Sequence, residues 1–379
     1  FSSIIFAKDT VPQSELEIKL SFVPLVKQAA PAVVNIYAQR IIEQRRSPFS
    51  RDPFFRDFFQ NFGQLQPRVQ NSLGSGVILS GDGYVVSNYH VVGGATDIRV
   101  VLHDGREISG NVILSDEDSD LAVLKLNTDE VLPHLDLRKS DTVEVGELVL
   151  AIGNPFGVGQ TVTNGIISGL ARTGIASGSA KGYFLQTDAP INPGNSGGAL
   201  IDISGSLVGV NTSILSRSGG SNGIGFAIPA DLVGQFLVQA KAGRSNFVRP
   251  WAGMRGQPIT FEMAASLNLP AMSGMIISEL HELSPFSKVG IGVGDIITKV
   301  DGLDINSPAE MLYRMSVAGI GAAVDVSYLS KGTIKSSKID LVEIPNLKGK
   351  QVTLGPEFIF IDLRLSLIHI SEPTRLPGI

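Results

Sequence analysis

The chain has 379 residues, 31 basic and 36 acidic, giving a formal net charge of −5 and room for two or three domains with separate cores. Its 42 glycines favour a turn-rich, strand-rich fold, and the absence of cysteine excludes disulfides, thiol nucleophiles and cysteine-ligated metals. A mildly acidic chain without a dense Lys/Arg block offers nucleic acid and anionic lipid no electrostatic footing, and no apolar run approaches the roughly 20 residues of a membrane-spanning helix.

Phe1 to Ala7, followed by the polar Lys8-Asp9-Thr10, reads as a signal-peptide remnant. Because Ile5-Phe-Ala7 fits the small-x-small cleavage rule poorly, an arbitrary fragment start is the alternative. From Ala32 to Pro229, period-two apolar runs bounded by Gly, Asp and Asn recur at 33–36, 76–79, 84–86, 98–102, 121–126, 148–152, 165–167, 183–186, 207–210 and 224–228. Short strands joined by turns in this number predict a sandwich or a pair of barrels, not alternating βα units. Between the first two runs, Pro48 to Phe62 holds six of the 18 phenylalanines, and so aromatic a loop must bury itself in a core or a partner. Strand signals are few between Leu126 and Leu148, where two halves would join.

At Ala230 the period changes: Leu232, Val233, Phe236, Leu237 and Ala240 fall at helical spacing and Gly243 supplies the stop, predicting a linker helix over 230–242. Beyond Arg249-Pro250, strands near 275–278, 295–300 and 324–329 alternate with helical patterns near 261–267 and 308–318, an α+β module. The stretch from Gly355 to Ile379 is strand-prone and lacks turn chemistry; it reads as vector-derived or frame-shifted sequence outside the fold.

Five histidines exist, His90, His103, His134, His281 and His369, and any one of them alone is by default a surface or core residue. His90, in Ser87-Asn-Tyr-His-Val-Val92, stands at the end of a strand where the chain turns toward a cleft. Asn192-Pro-Gly-Asn-Ser-Gly-Gly198 places one hydroxyl among small residues, so that backbone N–H groups can converge on a developing oxyanion. The same loop reads alternatively as a Gly-rich turn or a phosphate cradle, but it lacks a Lys-Ser/Thr pair and runs into a strand at Ala199. Of the four acids in Ser115-Asp-Glu-Asp-Ser-Asp120, Asp120 directly precedes an apolar strand and is best placed to be carried inward; the other three read as a solvated turn. His90, Asp120 and Ser196 follow one another in the order of the chymotrypsin-type double barrel.

Gly74-Ser-Gly-Val-Ile78, Ser87 to Val92, Asp120-Leu-Ala-Val-Leu-Lys125, Ile152-Gly-Asn-Pro-Phe-Gly157, Gln186 to Leu200 and Gly223-Ile-Gly-Phe-Ala-Ile-Pro229 together resemble the HtrA (Deg) family of serine proteases, over roughly Ser21 to Pro345. The resemblance implies a mainly β fold: a chymotrypsin-like double β-barrel over 21–243, with a long first-barrel loop at 48–70, then one α+β PDZ domain over 249–345. Residues 1–20 and 350–379 would be an extension and a tail. It implies Ser196 as nucleophile, His90 as general base and then acid, Asp120 as orienting carboxylate, and the N–H groups of Gly194, Asn195 and Ser196 as oxyanion hole. Pro190 stands where trypsin-like enzymes carry an Asp, so Ile191 and Ile214 imply a small aliphatic pocket and cleavage after Val or Ala. Arg172 matches the family's sensor arginine, and Trp251-Ala252-Gly253-Met254 its carboxylate-binding PDZ loop, although Trp251-Ala252 departs from the usual smaller or aliphatic pair.

No metal and no cofactor is implied. The expected activity is ATP-independent endoproteolysis of misfolded or unfolded envelope proteins in a bacterial periplasm. It would be regulated by peptides with free hydrophobic C-termini and performed in trimers or larger cages with no nucleic-acid partner. The alternatives are a sensor protease for one anti-sigma-type substrate, and a chaperone or peptide-binding scaffold.

Overall fold

The computed structural model describes residues 22–41, 69–154, 159–173, 183–214, 221–267, 269, 273–345, 352–353 and 359–360. The signal-remnant reading of the N-terminus, the phenylalanine cluster at 48–62 and almost all of the tail lie outside the described residues. A short helix α1 (Val23–Ala29), with proline in its first turn, leads into β1 (Val33–Ile41). The first barrel is completed by β2 (Val69–Ser80), β3 (Tyr84–Ser87), β4 (Asp97–Val101), β5 (Glu107–Asp116) and β6 (Leu121–Leu126), closed in the order β1-β2-β3-β6-β5-β4. One helical turn, α2 (Tyr89–Val92), follows β3. The second barrel repeats the plan with β7 (Leu148–Gly153), β8 (Thr161–Thr173), β9 (Tyr183–Thr187), β10 (Ala199–Asp202), β11 (Leu207–Ile214) and β12 (Gly225–Pro229), closed as β10-β11-β12-β9-β8-β7.

In β6 and β7 the apolar run is nearly continuous and not alternating, because both faces of these strands are buried. In β6, Ala122 and Leu124 fill the first barrel, while Leu121 and Val123 point into a second core shared between the barrels. In β7, Val149 and Ala151 fill the second barrel, and Leu150 and Ile152 face the shared core. Helix α3 (Ala230–Lys241) adds Leu232, Val233 and Phe236 to that shared core, so the linker helix of the sequence is a packed element.

After a linker over 242–253 the last unit is one antiparallel sheet, ordered β13-β14-β15-β17-β18: β13 (Met254–Pro258), β14 (Met275–Leu280), β15 (Ile296–Val300), β17 (Ala323–Ser330) and β18 (Thr333–Asp340), with β16 (Leu303–Asp304) paired to β15. Helices α4 (Phe261–Ser266), α5 (Pro285–Lys288) and α6 (Pro308–Ala318) complete it around a core of its own that includes Met254, Phe286, Ile297, Met311 and Val326. Helix α6 also packs on α3, β8 and β9 of the double barrel. There Tyr313 stacks on Tyr183 with ring centroids 4.0 Å apart, Arg314 pairs with Asp141, and the Gln235 amide donates to the Val317 carbonyl at 2.8 Å. Among the described residues no helix is long and apolar enough to cross a membrane.

Candidate active site

The cleft chemistry starts in the first barrel. β3 ends at Ser87, and α2 then lifts His90 out of the sheet. The β5–β6 turn brings Asp120 beneath it: the imidazole Nδ1 lies 2.9 and 2.8 Å from the two carboxylate oxygens, and the His90 backbone N–H donates to Oδ1 at 3.0 Å. A carboxylate only accepts, so Nδ1 carries a hydrogen, and in the neutral imidazole that leaves the lone pair on Nε2. Asp120 sits at φ +52°, a left-handed conformation that few L residues adopt. Its own carbonyl accepts from the Tyr89 N–H (3.1 Å) and the Asn88 amide (3.0 Å), which hold that geometry. The side chains of His90 and Asp120 are 12% and 14% exposed, so the pair is largely but not fully shielded from solvent.

Ser196 comes from the second barrel, on the turn before β10, and is 5% exposed. Thr212 of β11 links it to the pair: its hydroxyl donates to Asp120 Oδ2 at 2.6 Å, and its carbonyl accepts from Ser196 Oγ at 3.0 Å. Ser75 of β2 ties the nucleophile loop to the first barrel. Its N–H donates to the Ser196 carbonyl (2.9 Å), and its hydroxyl donates to the Gly194 carbonyl (2.7 Å) while accepting from the Asn154 N–H (2.9 Å). The Ser-Gly-Gly sequence is required by this proximity. A Cβ on Gly197, at φ +83°, would lie 2.1 Å from the Ser75 carbonyl oxygen, and one on Gly198 would lie 2.3 Å from that of Ile152. Sequence reading missed Thr212 and the bridging role of Ser75; the latter lay in the quoted Gly74-Ser-Gly motif, whereas a threonine in an alternating strand gives no signal.

The expected oxyanion hole needs one correction. The Asn195 N–H donates to the Asn192 carbonyl at 3.0 Å, closing a turn, so it is already committed and the candidate donors are those of Gly194 and Ser196. A second correction concerns Asp116, read as part of a solvated turn. Its carboxylate accepts from the Ser119 N–H (2.7 Å) and pairs with Arg249, and only Glu117 and Asp118 are exposed.

Ile191 is 2% exposed within the second-barrel core and lies against Gly225. Ile214 pairs with the same Gly225 across β11 and β12, so the two expected pocket residues converge there; the Ile214 side chain lies outside the described residues. Arg172 is placed by its backbone on β8 opposite Phe184, its side chain likewise undescribed. In the last unit, the Ser284 hydroxyl donates to the Ala252 carbonyl (2.6 Å) and the His281 N–H to that of Gly253 (2.8 Å). With both carbonyls turned inward, trans peptide geometry turns the N–H groups of Gly253 and Met254 the other way, beside the edge strand β13. Trp251 is buried, its indole beneath Gly253, which sits at φ +61°.

Residues 74–210 match the trypsin-like peptidase domain family and residues 258–341 the PDZ domain family. The chain is 39% identical over 347 residues to a probable periplasmic serine protease do/HhoA-like of Haemophilus influenzae, covering 88% of this chain and 74% of that protein. It is 38% identical over 315 residues to the periplasmic pH-dependent serine endoprotease DegQ of Escherichia coli, covering 82% and 68%. Among solved structures, the HtrA-type protease AlgW with a decapeptide aligns at TM-score 0.61 and 38% identity, covering 86% of this chain and all of the other. The double barrel, the cleft between its halves and the PDZ module are thus those of a known group, and the chain belongs to the HtrA/Deg family of PDZ-containing serine endoproteases.

Proposed function

We propose that Ser196, His90 and Asp120 are the nucleophile, general base and orienting carboxylate of this endoprotease. The observation that carries the assignment is the Asp120 carboxylate, which receives the His90 N–H, the His90 Nδ1 hydrogen and the Thr212 hydroxyl. For catalysis the Ser196 hydroxyl rotates from the Thr212 carbonyl to His90 Nε2, which takes its proton as Oγ attacks the scissile carbonyl. Asp120 stabilises the imidazolium, and the N–H groups of Gly194 and Ser196 receive the oxyanion. The imidazolium then protonates the leaving amine; His90 next takes a proton from water as it attacks the acyl carbonyl, and returns that proton to Ser196 Oγ as the ester bond breaks and the acid leaves.

The buried aliphatic Ile191 and the position of Pro190 support cleavage after small aliphatic residues such as valine. The N–H groups of Gly253 and Met254, turned out beside an edge strand, support capture of peptide C-termini by strand addition. The relatives' periplasmic names support a bacterial envelope setting with unfolded or misfolded proteins as substrates, and action as a trimer or larger cage belongs to the same reading. Ser196→Ala is expected to abolish cleavage of unfolded β-casein while leaving the melting temperature and peptide binding intact. Undiminished cleavage by that variant would rule out the assignment.

A further inference from the structure

We propose that Arg249, in the linker ahead of the PDZ sheet, is a positioning residue for Asp120; the inference rests on the reading of Asp120 as the orienting carboxylate. Its guanidinium forks onto Asp116, Nη1 donating to Oδ1 at 3.1 Å and Nη2 to Oδ2, and Nη2 also donates to Ser119 Oγ at 2.7 Å. Asp116 in turn accepts the Ser119 N–H, and the Asp120 N–H donates to the Glu117 carbonyl at 3.1 Å. The turn from Asp116 to Asp120 is thus gripped at Asp116 and Ser119, immediately ahead of the residue at φ +52°. A strained backbone at a site persists only where its surroundings hold it, and this fork is one of the holds.

The grip has its own foundation. The Arg249 guanidinium lies 5.3 Å from the centre of the Phe247 ring, and Phe247 stacks on Phe236 of α3 at 4.0 Å. The linker runs parallel to the end of β5, where the Ser115 N–H donates to the Ser245 carbonyl at 3.3 Å and Ser115 bridges Asn246. Asp116 and Arg249 side chains are 14% and 24% exposed, so solvent screens this bidentate pair less than a surface ion pair. Arg249 is two residues from Trp251, where the proposed peptide loop begins. One short stretch of chain therefore joins the loop that would hold a peptide terminus to the turn that carries Asp120.

The test uses the full chain and β-casein. Arg249→Ala is expected to lower kcat about tenfold with KM within about twofold, because the lost contact acts on the reacting groups and not on substrate binding. Arg249→Lys, which keeps the charge without the fork, should restore part of the rate. Asp116→Asn should reproduce the loss, and the double variant should be no slower than either single one, since both remove the same grip. In proton NMR the low-field resonance of the His90 Nδ1 hydrogen should weaken in Arg249→Ala, a change that looser domain packing alone would not produce. Wild-type kcat and an unchanged low-field resonance in both Arg249→Ala and Asp116→Asn overturn the proposal. Asp120→Asn separates the two levels. Wild-type cleavage by that variant removes the triad reading and this inference with it, whereas its inactivity beside unimpaired Arg249→Ala and Asp116→Asn variants overturns the Arg249 role alone.

Discussion

Thr212 shows how much of the site depends on one side chain that no motif advertises. Its hydroxyl is one of the donors on the Asp120 carboxylate and its carbonyl holds the Ser196 hydroxyl, so it registers one barrel against the other. Thr212→Val keeps the shape and removes only the hydroxyl. A hydrogen bond to a charged group is worth about 1.5–3 kcal/mol, so the expected loss in kcat is roughly ten- to a hundredfold, read on β-casein with the melting temperature as a control for folding. A variant with unaltered kcat would show that Asp120 is held adequately by His90 and the 116–120 turn. In the sequence this threonine looks like any polar position of an alternating strand, because its partner Asp120 is 92 residues away.

Helix α6 was readable from its local signals. Pro308 stands in the first turn, the Ser307 hydroxyl accepts the Glu310 N–H at 3.1 Å, and the Glu310 carboxylate reaches back to the Asn306 N–H. What the pattern did not announce is that Glu310 is buried. Burial pushes its carboxyl above the ordinary value, outweighing the Asn306 N–H that favours the charged form. The folded chain therefore holds this proton to higher pH than the unfolded chain does. The stability this contributes is fully present below the ordinary glutamate pKa and is lost as pH rises through the raised folded value. Glu310→Gln should accordingly flatten the decline in melting temperature across that window relative to the parent; an unchanged slope would assign the decline to other groups, of which Asp231, also raised by burial, is one. β18 was not foreseen because Thr333 to Asp340 holds only two apolar residues, Ile334 and Ile339, as suits a strand at the edge of a sheet.

Two barrels and a PDZ sheet meet along α3, α6 and the 242–253 linker: α6 packs against β8 and β9, and Arg249 pairs with the 116–120 turn. The chain's single tryptophan, Trp251, lies buried under Gly253 and would report on the peptide capture proposed for this loop. A peptide ending in a free hydrophobic carboxylate should change its fluorescence and bind at least about tenfold more tightly than the same peptide as an amide, because charge-assisted hydrogen bonds to the N–H groups are lost with the charge. Equal affinities would remove the carboxylate-loop reading.

The glycine excess is concentrated in one stretch of the chain. Eighteen of the 42 fall between Gly146 and Gly225, and at Gly197 and Gly198 the reason is contact: barrel backbones pass where a Cβ would stand. Strand alternation narrowed the first region to a sandwich or a pair of barrels and the last to an α+β module, and the motif resemblance supplied the double barrel, the roles of the His-Asp-Ser set and the PDZ module, since each motif is a short run of neighbouring residues. The Thr212 link, the Ser75 bridge, the committed Asn195 N–H and the Arg249 fork were not written in such runs. Three of these are hydrogen bonds between residues 79 to 133 positions apart, and the fourth is a turn whose closure depends on backbone direction. Local pattern says which face of a strand is apolar; which polar group meets which across a cleft is decided when the barrels close and pack.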